Sequence, residues 1–303
     1  MDAIKTRNLS KNYNGRNVVD NLTLSVPQNS IYGFIGKNGA GKSTTLKMLS
    51  GLVNPSEGEI SLFGESIDNE LVRHRVGVLI ESAGVYPTYS AFENMMLKAY
   101  CFGVVDAKKT CMDYLEMVGL FDERDKKVKQ FSMGMKQRLG IAMALVGNPD
   151  LLLLDEPTNG LDPEGMMQIR ETLLRLNRER GITMLVSSHI LGELSKISSH
   201  YGIIKNGKLI LEASADVIRE NCQDYLKIIV NDVRQAAVIL EQELKITKYE
   251  IYPKCELRVF DKIDTDLINQ ILLQRGIKIK ELYRHHQELE DYFIELMGGT
   301  ENV

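Results

Sequence analysis

The sequence predicts an α/β protein whose main domain has a parallel sheet covered on both faces, followed by a smaller α+β domain. Three observations predict it. A gap-free match to G-x-x-x-x-G-K-[ST] begins at Gly36, between the apolar run Ile31-Tyr32-Gly33-Phe34-Ile35 and a helical stretch at 44–51. Leu151-Leu152-Leu153-Leu154 runs into Asp155-Glu156-Pro157, and unbroken leucines fit a strand buried on both faces of a parallel sheet. From about residue 220 the pattern changes to short strands interleaved with amphipathic helices.

The first of these stretches, Gly36-Lys37-Asn38-Gly39-Ala40-Gly41-Lys42-Ser43-Thr44, is a phosphate-binding loop in the strand–loop–helix context it requires. Glycines let successive backbone N–H groups turn inward around an anion, and the helix N-terminus adds partial positive charge behind it. Lys42 is placed to reach the β- and γ-phosphates, and the Ser43 hydroxyl to ligate Mg2+.

Composition narrows the class. The chain has 303 residues, 44% hydrophobic and 26% charged, with net charge −4. Its lysines and arginines are scattered, and an acidic balance argues against a nucleic-acid partner. The four cysteines show no C-x-x-C spacing, so reduced thiols are expected rather than disulfides or a metal site. The N-terminus has no signal-peptide core, and no stretch approaches the roughly 18 apolar residues of a membrane span. A cytoplasmic protein is expected, reaching a membrane only through a partner.

In chain order, residues 3–36 read as β-rich, with a half-exposed strand over 18–26. Tyr13 is either an edge-strand aromatic or a ring that stacks on a nucleotide base. Residues 58–64 and 76–80 read as strands, the second running into Glu81. Helical periodicity then takes over at 91–102, 107–118 and 134–146, a helical insertion between strands. Strands return at 151–155 and 182–186, separated by a helix at 164–180. A hairpin turning on Asn206-Gly207 closes the domain. Beyond it the order is βαββαβ, with a last helix at 289–297, which predicts a ferredoxin-like domain. His285-His286 reads as surface rather than as a metal site.

Asp155 ends a buried strand on the sheet edge where the phosphate loop emerges, which is where open α/β sheets bind ligands. It is placed to hold the Mg2+ shell. Glu156 can take a proton from a water attacking the γ-phosphate, and His189, ending the next strand, can contact that phosphate.

These residues, in this order, resemble the ATP-binding cassette (ABC) family, the nucleotide-hydrolysing subunits of membrane transporters. The resemblance covers about residues 3–215. It implies a P-loop NTPase cassette with a RecA-like α/β core, an antiparallel β subdomain and a helical subdomain at about 84–147, within a domain 1–220 that precedes an accessory domain 221–303. Tyr13 matches the base-stacking aromatic, Glu156 the catalytic glutamate and His189 the switch histidine. Phe131-Ser132-Met133-Gly134-Met135 matches the signature that meets ATP bound to a second subunit, and Gly160-Leu161-Asp162 the loop that crosses to that subunit. The resemblance therefore implies ATP and Mg2+, a second copy of the chain around sandwiched ATP, and an integral membrane permease. It also implies a location on the inner face of the membrane.

Two positions depart from the family pattern. Met133 and Met135 stand where the signature usually has Gly and Gln, while Ser132 and Gly134 are kept. Glu81 stands where the family usually has a Gln that senses Mg2+, which makes Glu81 a further catalytic and metal candidate. That Glu and the phrase Phe-Ser-Met-Gly-Met-Lys-Gln-Arg are similar to the cassettes of bacitracin-resistance exporters and lantibiotic self-protection transporters. Competing readings are a non-transport cassette ATPase, a module that binds ATP without hydrolysing it, and a transporter of another substrate.

Overall fold

The computed structural model describes residues 1–82, 84–222, 224–261, 263–285 and 292–293. It divides into two compact units, Met1–Ala215 and Asp216–Val303. The first unit opens with β1 (Asp2–Tyr13), β2 (Arg16–Leu22), β3 (Ser25–Pro27), β4 (Ile31–Ile35), α1 (Lys42–Leu49), β5 (Glu57–Leu62), β6 (Glu65–Ser66), α2 (Glu70–Arg73) and β7 (Val76–Leu79). The helices α3 (Ala91–Cys101), α4 (Ala107–Met117) and α5 (Met133–Leu145) follow. The unit ends with β8 (Leu151–Asp155), α6 (Pro163–Arg180), β9 (Thr183–Ser188), α7 (Leu191–Leu194), β10 (His200–Lys205) and β11 (Lys208–Ser214). A helix α8 (Ala215–Asn221) spans the division between the units, five residues before the boundary expected at 220.

Two sheets build this unit. The antiparallel one runs β2-β1-β5-β6, with β3 also on β1. The stretch 18–26, read as one strand, is two: β2 pairs the second half of β1 and β3 the first. The alternation survives the break, because Leu22, Leu24 and Val26 are all buried. Thr6 makes the switch possible. Its hydroxyl donates to Leu22 O and accepts from Leu24 N, both at 2.9 Å, so the backbone at the break stays hydrogen-bonded.

The second sheet runs β11-β10-β4-β9-β8-β7. Its neighbours are parallel except for the β10–β11 hairpin. Every residue of β4 is buried, as are all four leucines of β8, as expected for strands covered on both faces. The register sets Ile35 against Ser188 and Asp155 against Ser187. The phosphate loop, Asp155 and His189 therefore leave the sheet at one carboxyl edge. In the helical insertion, Ser90 and Glu93 form a capping box that starts α3. Buried Asn94 ties the preceding loop down, its amide donating to Tyr86 O at 3.1 Å and Ser90 O at 2.8 Å.

The second unit contains β12 (Tyr225–Val230), α9 (Val233–Leu244), β13 (Tyr249–Tyr252), β14 (Glu256–Val259), α10 (Thr265–Gln274) and β15 (Ile279–His285). Its sheet runs β13-β14-β12-β15, with all neighbours antiparallel. Leu226, Ile228, Leu257 and Val259 pack under Leu240 and Leu272 of the two helices. The expected last helix, apart from Tyr292 and Phe293, and His286 lie outside the described residues.

Candidate functional site

The phosphate loop joins the end of β4 to α1. Gly41 caps the helix at φ 111, where a Cβ would lie 2.7 Å from Val18 O, and Gly36 passes so close to Ile204 O that a Cβ there would sit at 2.5 Å. Only glycine fits either position. The loop walls a cavity of about 190 Å3 lined by Asn38, Gly39, Gly41, Lys42, Ser43 and Thr44, together with Val18, Glu156 and Asn159. Lys42 is buried. Its ammonium donates to Gly36 O at 2.7 Å and Lys37 O at 3.3 Å and lies 3.2 Å from Glu156 Oε1.

Glu156 sits just past β8 at φ 49, a left-handed conformation uncommon for a residue with a Cβ. Its backbone N–H is held by Ser187, through the carbonyl at 3.2 Å and the hydroxyl at 3.0 Å. Its Oε2 meets His189 Nδ1 at 2.7 Å. Its Oε1 is buried, has no hydrogen bond among the described residues, and lies 3.2 Å from the Lys42 ammonium. The Ser187 hydroxyl also donates to Asp155 Oδ1 at 2.6 Å. Asp155, Glu156 and His189 are thus locked to one another across β8 and β9.

Lys42, Ser43 and Glu156 line the cavity, and hydrogen bonds through Ser187 and directly to Glu156 bring Asp155 and His189 beside it. Tyr13, the last residue of β1, is half exposed with the Lys11 ammonium 5.1 Å above its ring, and it does not line the cavity. Glu81 does not line it either. Its side chain is 69% exposed and pairs with Lys47 at 2.5 Å. The carboxylate expected to face an ion pairs with Lys47, from a residue whose backbone φ is 62.

The signature lines a different cavity, of about 380 Å3, with the loop after β8. Ser132 caps α5, accepting from Met135 N at 3.2 Å. Gly134 and Leu161 line the same hollow, and Asp162 caps α6 through Gly165 N at 3.1 Å. The Met133 sulfur lies over Gly160, 2.8 Å from where a Cβ would stand, so the methionine uses space that Gly160 leaves open. The two cavities share no lining residue.

Sequence reading missed three residues at the site. Ser187, just past the strand expected at 182–186, is the bridge between the two acids. Gln137 reaches Glu156 O at 3.4 Å from α5. Asn159 completes the cavity wall. Position at the carboxyl edge of β9 could have flagged Ser187. Gln137 lies in the quoted phrase after the signature, and Asn159 carries no local signal.

Comparison with known proteins agrees with this arrangement. The ABC transporter family matches residues 19–159. Over 300 residues the chain is 42% identical to the bacitracin transport ATP-binding protein BcrA of Bacillus licheniformis, covering 98% of this chain and 97% of that protein. The chain belongs to the ABC transporter ATP-binding proteins. It is the ATP-binding subunit of an ABC transporter, and an ATPase. The lantibiotic transport ATP-binding protein SrtF of Streptococcus pyogenes is 42% identical over 213 residues, 70% of this chain and 91% of that one. The cassette MJ0796, solved as a dimer in a post-hydrolysis state with ADP and Pi, superposes with TM-score 0.64 at 26% identity, over 70% of this chain and 98% of that one. No helix among the described residues is long and apolar enough to cross a membrane.

Proposed function

We propose that this ATPase drives an integral membrane permease that exports, or confers resistance to, a membrane-active peptide antibiotic of the bacitracin or lantibiotic type. The observation that carries the reading is extent. The identity to a bacitracin transport ATP-binding protein runs over 97% of that protein, so it takes in the second unit as well as the cassette. Glu81 and the modified signature support the same subgroup.

In the proposed roles, Lys42 turns from Gly36, Lys37 and Glu156 to the β- and γ-phosphates of ATP, a stronger anionic partner. That exchange releases Glu156 Oε1 to accept a proton from the attacking water, while His189 keeps Oε2 oriented. The residues also fit Mg2+. Among the described residues no three His, Cys, Asp or Glu could hold a metal alone. Ser43 lines the cavity, and Ser187 engages only Oδ1 of Asp155. Such a donor set suits an ion that takes its remaining ligands from phosphate and water. When bound, Mg2+ supplies charge neutralisation at the β- and γ-phosphates.

Two copies are proposed to close head to tail, with Ser132 and Gly134 of one facing the phosphate cavity of the other. The separation of the two cavities and the dimer of MJ0796 support this. The domains are proposed as 1–220 for the cassette and 221–303 for a ferredoxin-like accessory domain, a reading supported by the strand order β13-β14-β12-β15. The subunit is proposed to sit on the inner membrane face through its permease.

The test is growth under bacitracin and under a lantibiotic, in cells expressing the chain with its permease. Resistance should disappear with Glu156→Gln at equal expression. Unchanged resistance to both, with a purified wild-type protein that hydrolyses ATP, would overturn the substrate class and leave the ATPase standing.

A further inference from the structure

Lys47 takes no part in the phosphate site. It lies in the last turn of α1, the helix whose first turn carries Lys42 and Ser43. Its ammonium meets Glu81 Oε1 at 2.5 Å. Glu81 stands two residues beyond Leu79, the end of β7, and Leu79 pairs with Leu154 of β8. Glu81 therefore leaves the sheet at the same carboxyl edge as Asp155 and Glu156. Three carboxylates gather on the edge that must receive a polyphosphate. Lys42 answers Glu156, and Lys47 answers Glu81.

We propose that Lys47 is a positioning and charge-compensating residue, which neutralises Glu81 and holds its carboxylate off the incoming phosphates, so that a glutamate at this position does not oppose ATP binding. An amide would need no such partner, because it carries no charge. A carboxylate left unpaired beside ATP repels it, and that repulsion is what Lys47 cancels. The pair is largely exposed, with side chains 30% and 69% accessible, so it contributes little to folding. Its effect belongs to nucleotide affinity. The inference rests on the ATPase reading of the site.

A double-mutant cycle on the full-length protein tests it. ATP Kd is measured by displacement of a fluorescent ATP analogue, alongside KM and kcat. Lys47→Met should raise Kd and KM by roughly three- to ten-fold and leave kcat within about two-fold. In a Glu81→Gln background the same substitution should change Kd by less than about two-fold, because the charge that Lys47 cancels is gone. Lys47→Arg should restore the wild-type Kd. Equal weakening of ATP by Lys47→Met in both backgrounds would mean a packing role, and an unchanged Kd with Glu81 present would mean no role. Either result overturns the inference. The affinity cycle needs no turnover, so a wild-type protein that binds ATP without hydrolysing it counts against the ATPase reading while the Kd comparison still judges Lys47.

Discussion

At the scale of single residues, the site depends on Glu156, which is held at φ 49 between a lysine, a histidine and a serine. A strained backbone survives where surrounding contacts over-determine it, as the two Ser187 bonds do here. Glu156→Gln keeps the shape but removes the proton acceptor. ATP turnover should fall by about two orders of magnitude or more while ATP still binds, and gel filtration with ATP should show an accumulated dimer. Turnover at the wild-type rate would remove Glu156 from its proposed role. Lys42→Ala should act on the other step. It deletes a charge-assisted contact to the phosphates and should weaken ATP by about ten-fold or more in a direct titration. Ser187→Ala removes the donor to Asp155 Oδ1 in a residue with no solvent exposure. It should cost about 1–2 kcal/mol in denaturant unfolding and lower turnover at the same time, whereas an effect on stability alone would argue against its bridging the acids.

At the scale of elements, β8 is the strand on which the chemistry hangs. Leu153 has no exposed surface and packs within the main core of the cassette, so Leu153→Ala should destabilise the cassette by about 2–5 kcal/mol. Because Asp155 and Glu156 follow directly, nucleotide affinity should fall as the strand end loosens, and a thermal melt with and without ATP would show both effects. Helix α5 differs, since its N-terminus lies in the second cavity. Its cap, Ser132, entered the sequence reading through the signature resemblance, and its capping of α5 came from the structure. The break between β2 and β3 was not legible. Alternation reports which side chains are buried, and it continues unbroken through Leu22, Leu24 and Val26 while the strand changes neighbour along β1.

At the scale of the whole molecule, the chain is two units with separate hydrophobic cores. Every residue lining the phosphate cavity belongs to the first unit. A protein ending after Asn221, which keeps the whole of the first unit, should fold and bind ATP with an affinity within about three-fold of the full chain. A folded truncation that has lost ATP affinity would show that the second unit contributes to the site. The change of period near residue 220 was visible in the sequence. The two compact units divide at Ala215, and α8 runs from there to Asn221.

The sequence by itself determined the parts of this protein made from consecutive residues. A phosphate cradle is built from adjacent backbone groups, so Gly36 to Ser43 carries its own geometry, and four adjacent leucines specify a strand with two covered faces. Tertiary structure alone decided which distant groups meet. Ser187 bridges Asp155 and Glu156 because β9 lies beside β8 in one register. Glu81 meets Lys47, 34 positions away, rather than the phosphate cavity. The signature faces a hollow of its own, away from the loop it is expected to serve in a second copy. The physical reason is common to all three. Periodicity and motif spacing encode burial and local conformation, whereas the partner of a charged or hydroxyl side chain is chosen by strand order and by which group the fold brings within hydrogen-bonding distance.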